Sequence, residues 1–255
     1  MPTLPVLDRK PSRPLIGFYL SEPAPGILER IGADWDWIWI DGQHGNMDYR
    51  EAADLVRSSN QIGRPGLVRI PLEDLSWVGK MLDAGAAGII APMVETLDQA
   101  KALVRAAKFP PSGNRSYGGR RVIDRLGRGY YRSANQETAL ILQVESNEAV
   151  GLADEMAALE GVDGLFLGPD DLTIRLGLPV ESPRSPESIG RQCQTMVDSC
   201  RRHGKLSVVS IGLSDDAMAM AKNYRFDLIA GGSDAFFLTA GSKSYAEKWR
   251  NLFKS

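Results

Sequence analysis

The sequence predicts a single closed (β/α)8 barrel. Three observations carry that prediction: eight short apolar runs of strand length, stretches of helical spacing between them, and a chain of 255 residues, which suits one barrel of eight units. The strand-like runs are Leu15–Leu20, Trp35–Asp41, Gly66–Ile70, Gly88–Pro92, Leu140–Glu145, Gly164–Gly168, Leu206–Ser210 and Asp227–Gly231. Helical spacing recurs over Tyr49–Ser59, Leu75–Ala84, Leu97–Ala107, Glu148–Leu159, Ile189–His203 and Asp215–Tyr224, and again from Phe236 onward. Runs such as WDWIWID and LILQVE are apolar on both faces, as strands of a helix-covered parallel sheet must be. An open doubly wound sheet is the other arrangement with this rhythm, but no G-x-G-x-x-G follows the first strand.

Residues 1–255 therefore read as one domain, with 1–13 as an N-terminal extension. The segment 109–136 is too long and too rich in Gly, Arg and Tyr for an ordinary connection, and is expected at the active-site side or at an interface. A second break, Gly177–Pro186, carries three prolines and reads as a surface excursion. Thirty Lys and Arg against thirty-two Asp and Glu leave a formal net charge of −2, so no basic surface for nucleic acid is expected. No apolar stretch reaches membrane-spanning length and the N-terminus lacks the apolar core of a signal peptide, so a soluble, cytoplasmic chain is expected. Cys193 and Cys200, the two cysteines, fall in one predicted helix about 10 Å apart, too far to bridge each other, which suits structural thiols in a reducing compartment. With two histidines in the chain, a closed zinc site is not expected, and any metal would be held by oxygen.

In a barrel the chemistry sits where strands end, so the polar residues there are the candidates. The second strand ends in Asp41-Gly42-Gln43-His44-Gly45, the third carries Arg69, the fifth ends Gln143-Val144-Glu145, and the sixth runs into Gly168-Pro169-Asp170-Asp171. Glu145 and Asp171 lie one βα unit apart, on adjacent strand ends, and two hard carboxylates suit Mg²⁺ or Mn²⁺. The alternative is that Glu145 opens a helix and Asp171 caps one. His44, with Asp41 near in sequence, can act as a general base held by a carboxylate, or be a solvated loop histidine. Arg69, alternating with apolar neighbours, must find an anion: a carboxylate ligand, or a salt bridge to Asp41 or Glu145. Gln143 shares the Glu145 side of its strand. His203 near a helix C-terminus serves the helix dipole. Lys205 alone of the lysines adjoins a strand, and at the wrong end, so an imine mechanism is disfavoured.

Taken in order, D-G-Q-H-G at 41–45, R-I-P at 69–71, G-A-A-G-I-I-A-P-M-V-E-T at 85–96, P-P-S-G-N-R at 110–115, Q-V-E at 143–145 and G-L-F-L-G-P-D-D-L at 164–172 resemble the HpcH/HpaI aldolases, the class II pyruvate aldolases, over nearly the whole chain. The resemblance implies a phosphoenolpyruvate/pyruvate-type barrel and a divalent-metal enzyme (Mg²⁺, Mn²⁺ or Co²⁺) that cleaves 4-hydroxy-2-oxo acids reversibly into pyruvate, or a close 2-oxo acid, and an aldehyde. By similarity, Glu145 and Asp171 hold the metal, and His44 with Asp41 is the catalytic dyad. Arg69 and Gln143 contact substrate, and the backbone of Gly168, Pro169 and Asp170 cradles the pyruvyl carboxylate. Asp83 matches an acid contributed across a subunit interface, within a hexamer or trimer of dimers whose last helix is exchanged. A role in catabolism of aromatic or sugar acids is the family expectation. The sequence departs from the family at Gln43, where many relatives have Glu, and at Asp170, where the motif has a small residue; Arg115–Arg132 follows the family's lid-like segment only at its start. A citramalyl- or malyl-CoA lyase, for which the arginines of 115–132 and the turn Gly231-Gly232-Ser233 would hold phosphates, is the nearest alternative. A non-aldol enolate enzyme and a silent 2-oxo-acid binder are the others. Within the barrel, Ile211–Leu213 are the candidates for selecting the aldehyde.

Overall fold

The computed structural model describes residues 4–253, so the first three residues of the N-terminal extension and the last two of the chain lie outside it. Eight parallel strands close in sequence order: β1 (Leu15–Leu20), β2 (Trp37–Asp41), β3 (Gly66–Arg69), β4 (Gly88–Ala91), β5 (Ala139–Val144), β6 (Gly164–Leu167), β7 (Leu206–Ser210) and β8 (Leu228–Ser233). The β8–β1 seam carries a register shift at Gly17/Phe18. The strand assignments hold to within two residues at each end.

Strand alternation sorts the core into two layers. Trp37, Trp39, Leu67, Ile90, Ile141, Phe166, Val208, Leu228 and Ala230 fill the barrel interior, while Ile38, Ile40, Val68, Leu142, Leu165 and Val209 face the helices. Gly17 shows how tightly the interior is packed: a Cβ there would lie 2.2 Å from the Trp37 indole. The same parity carries Asp41, Arg69, Gln143 and Glu145 onto the inner side at the strand ends.

The helices are α1 (Pro25–Ile31), α2 (Tyr49–Gln61), α3 (Ser76–Ala84), α4 (Leu97–Ala107), α5 (Arg120–Leu126), α6 (Tyr131–Glu137), α7 (Asn147–Gly151), α8 (Ala153–Ala158), α9 (Pro169–Arg175), α10 (Pro186–His203), α11 (Asp215–Tyr224) and α12 (Asp234–Leu252). Capping boxes start three of them, Asp48 with Glu51 on α2, Thr96 with Gln99 on α4 and Ser185 with Ser188 on α10. The helix expected over Glu148–Leu159 is broken at Leu152 into α7 and α8. Cys193 and Cys200 are buried, free thiols on α10, and burial pushes both up to about 12. His203, at the end of that helix, lies 3.1 Å from Asp154.

Of the two places expected for the long segment 109–136, an interface and the active-site side, the structure speaks against the second. The segment contains α5 and α6 and joins α4 to β5, so it lies toward the N-terminal end of the barrel, opposite the strand ends. Phe109, Val122, Tyr130 and Ala134 form a small core of their own there. Arg121 Nη1 donates to Ala84 O at 2.8 Å, and Arg115 Nη2 to Asp83 at 2.7 Å. No helix among the described residues is long and apolar enough to cross a membrane.

Candidate active site

A cavity of about 400 Å³ lies over the C-terminal strand ends, walled by Tyr19, Trp39, His44, Arg69, Gln143, Glu145, Phe166, Gly168, Pro169, Asp170, Asp171 and Ser210. It brings together most of the residues singled out from the sequence. No lysine lines it: Lys205 donates to Val162 O at the far end of the barrel.

Glu145 is the most constrained acid here, 2% exposed on the turn after β5. Its Oε2 accepts from the Met93 N–H at 3.1 Å, and Met93 holds a left-handed backbone (φ 51°) to present it. Its Oε1 accepts from Gln143 Nε2. Gly168 leaves the room for this pair, since a Cβ there would sit 2.3 Å from Glu145 Oε1. Burial first, and the negative charge of Asp171 second, push the Glu145 carboxyl up to about 7. Asp171 sits in the first turn of α9.

Arg69 does not wait for a ligand to find its anion. Asp41 stands across from it in the sheet register, and the two form a buried bidentate pair, Nε to Oδ1 and Nη2 to Oδ2, both 2.7 Å. The Tyr19 hydroxyl donates to Asp41 Oδ2 at 2.6 Å and the Gln43 N–H to Oδ1 at 3.0 Å. Burial works against the Asp41 charge, yet the Arg69 pairing outweighs it and holds the carboxyl below its usual range. The Arg69 guanidinium also lies 4.7 Å over the Trp39 ring. Its Nη1 has no protein partner among the described residues.

Two expectations change. The Asp41–His44 pair is not made: both Asp41 oxygens are committed to Arg69, Tyr19 and the Gln43 amide, because a guanidinium fork across the sheet satisfies a buried carboxylate better than an exposed imidazole on the following turn. His44 still lines the cavity, at its solvent side. The backbone cradle at 168–170 is narrower than expected, for Gly168 N–H donates to Val144 O at 3.2 Å and Pro169 has no N–H, leaving the Asp170 amide. Asp170 itself lies at the cavity rim, exposed and paired with Arg184. Asp83 lies on α3, outside its own barrel and away from the cavity.

Tyr19, Trp39 and Phe166 were not singled out from the sequence. Strand parity is the signal that finds them, since each shares the inner face with the residues that were.

The donors present fit a divalent cation. Two carboxylates face one cavity with the nearby cation, Arg69, already matched by Asp41, and Gln143 Oε1 is buried without a hydrogen-bond partner. Among the described residues no group of three or more His, Cys, Asp or Glu forms a closed cage. An ion held here would keep open positions for a ligand.

Fold and site together define a barrel enzyme whose strand ends present an acid pair beside a fixed arginine. A sequence profile described as HpcH/HpaI aldolase/citrate lyase matches residues 15–239. A hydroxypyruvate/pyruvate aldolase of Roseobacter denitrificans is 33% identical over 249 residues, covering 92% of this chain and 93% of that one. A 4-hydroxy-2-oxovalerate aldolase of Novosphingobium aromaticivorans is 33% identical over 243 residues, with 92% and 90% covered. The crystal structure of an HpcH/HpaI aldolase/citrate lyase family protein from Burkholderia cenocepacia superposes with a TM-score of 0.84 at 29% identity, covering 95% of this chain and 96% of that one. The chain belongs to the HpcH/HpaI aldolase/citrate lyase family, and it is a carbon–carbon lyase.

Proposed function

We propose that the protein is a divalent-metal-dependent aldolase that cleaves 4-hydroxy-2-oxo acids reversibly into pyruvate, or a close 2-oxo acid, and an aldehyde. The observation that carries this reading is the facing of Glu145 and Asp171 across one cavity beside an arginine already fixed in place. These two side chains would hold the cation, Mg²⁺, Mn²⁺ or Co²⁺, which when bound supplies Lewis-acid polarisation of the 2-oxo group.

The protein groups do the rest. His44, at the cavity mouth, takes the proton from the C4 hydroxyl. The C3–C4 bond then breaks, its electrons pass to the pyruvate fragment as an enolate, and the aldehyde leaves. Arg69 Nη1 faces the developing negative charge. Asp41 and Tyr19 set the plane of that guanidinium, so Asp41 acts as a positioning residue for Arg69. Protonation at C3 completes pyruvate.

The test is metal-stripped enzyme, reconstituted with Mg²⁺, Mn²⁺ or Co²⁺ and assayed for pyruvate release from a panel of 4-hydroxy-2-oxo acids. Release restored by a cation supports the reading, and equal release in chelator refutes it.

A homo-oligomer belongs to the same reading. α12 buries only Asp234 and exposes Phe236, Leu238, Tyr245, Trp249 and Leu252, more apolar surface than a lone helix carries in water. Burial of this helix against a second copy accounts for it. Sedimentation of the full chain against Trp249→Glu should show the variant shifted to smaller species.

A further inference from the structure

The cavity of the acid pair adjoins a second one of about 270 Å³, with Tyr19 and Ser210 walling both. The remainder of its lining comes from the ends of β7 and β8, including Ile211, Leu213, Ser233 and Phe236, and none of it is charged. This corner of a (β/α)8 barrel commonly binds a phosphate, on loop amides and a helix N-terminus.

Here the chain buries a carboxylate of its own next to that lining, one residue after Ser233. Asp234, the first residue of α12, is 1% exposed. Its Oδ2 accepts from the N–H groups of Ser21 and Glu22 at 2.9 and 2.8 Å, and its Oδ1 from the Ser21 hydroxyl and the Ala235 N–H at 2.9 and 2.8 Å. The Phe236 N–H is taken by the Ser233 hydroxyl at 3.1 Å. Two first-turn amides of α12, those of Ala235 and Phe236, are thus taken by the chain's own side chains. The charged side chains on the surrounding turns, Glu22, Asp215 and Asp216, are acidic as well.

Resting on the aldolase reading, we propose that the aldehyde half of the substrate occupies this second cavity and that it is uncharged and unphosphorylated. A phosphate would bring a charge of about −2 against a buried carboxylate with no cation to meet it. A neutral hydroxylated or short alkyl aldehyde meets only Tyr19, the Ser210 and Ser233 hydroxyls, and apolar walls.

The experiment measures carbon–carbon bond formation between pyruvate and matched aldehydes with Mn²⁺ present: glyceraldehyde against glyceraldehyde 3-phosphate, and propanal against succinic semialdehyde. The charged member of each pair should have a kcat/KM lower by roughly tenfold or more, mostly through KM, about 1.4 kcal/mol of discrimination. Equal or better use of the charged members overturns the inference while leaving the aldolase intact. Reaction with no aldehyde at all overturns the aldolase reading and this inference with it. A second variant keeps the cavity's role testable: Leu213→Arg, on the exposed loop after β7, should raise kcat/KM several-fold for the charged members. No gain there argues against the cavity as the aldehyde site.

Discussion

The two ends of the barrel each hold a carboxylate largely out of solvent, and they treat it in opposite ways. At the N-terminal end, Asp163 accepts from Arg9 Nη1 and Lys108 Nζ, both 2.7 Å, and from the Leu140 N–H at 2.8 Å. Lys108, 2% exposed, uses its remaining protons on Asn135 O and Thr138 O. Burial pulls the Lys108 ammonium down, and Asp163 works against that pull. Leu7 of the N-terminal extension closes the interior layer at the same end. At the C-terminal end, Glu145 has Asp171 for a neighbour, the nearby arginine is already matched by Asp41, and Gln143 Oε1 lacks a partner. A saturated network holds the fold together; an unbalanced one is poised to take a ligand.

The largest expected effect lies at the unbalanced end. Glu145→Gln and Asp171→Asn should each lower metal-dependent pyruvate release by about 10³-fold or more, roughly 4 kcal/mol in the barrier, while thermal unfolding of the metal-free protein is unchanged or later. Isothermal titration with Mn²⁺ separates lost cation binding from lost folding. Retained tight Mn²⁺ binding in both variants would break the comparison.

Arg69→Lys comes next. A lysine keeps the charge but cannot hold both Asp41 oxygens in a fork or stack on Trp39, so the group facing the enolate loses its plane. A fall of about 10²–10³ in kcat is expected, with a smaller change in the metal's affinity. Wild-type turnover would remove Arg69 from the reaction.

At the saturated end the prediction inverts. Asp163→Asn should cost about 3 kcal/mol of stability, since two cations lose their counter-charge in a buried place, while kcat per folded molecule stays as in the parent. The low end of the usual range is expected because Arg9 is partly exposed. Denaturant unfolding checks the first part and active-site-normalised kinetics the second.

How much of this the sequence discloses follows the same division. Strands β1 and β7 can be read to the residue from their apolar runs, and strand parity alone faces Gln143 and Glu145 into one pocket. Helices α5, α6 and α9 are not legible, because glycines, arginines and a Pro-Asp-Asp start hide their apolar spacing. The partner of Asp41 is left open between His44 and Arg69 for a related reason. His44 is three residues away in sequence, but Arg69 stands opposite in the sheet, and pairing across a parallel sheet is set by register that no local pattern reveals. The state of Glu145 is hidden altogether, since burial and an acidic neighbour arise only when β5 and β6 come together.

The smallest expected effect tests that state most directly. An ordinary glutamate loses its proton near 4.5, whereas folding pushes Glu145 up to about 7. Between those values the folded metal-free chain holds a proton that the unfolded chain has released, so stability falls as pH rises through this window and levels off above it. The loss is on the order of 1–3 kcal/mol. Glu145→Gln removes the titration, so subtracting its melting profile from that of the parent isolates the effect from other carboxylates, including Asp41, whose shift runs the other way. A divalent cation replaces the proton on Glu145, and its stabilisation should therefore grow over the same window. Parallel profiles for parent and variant from about pH 5 to about pH 8 would mean that Glu145 is already balanced without a ligand, and the contrast between the two ends would fail.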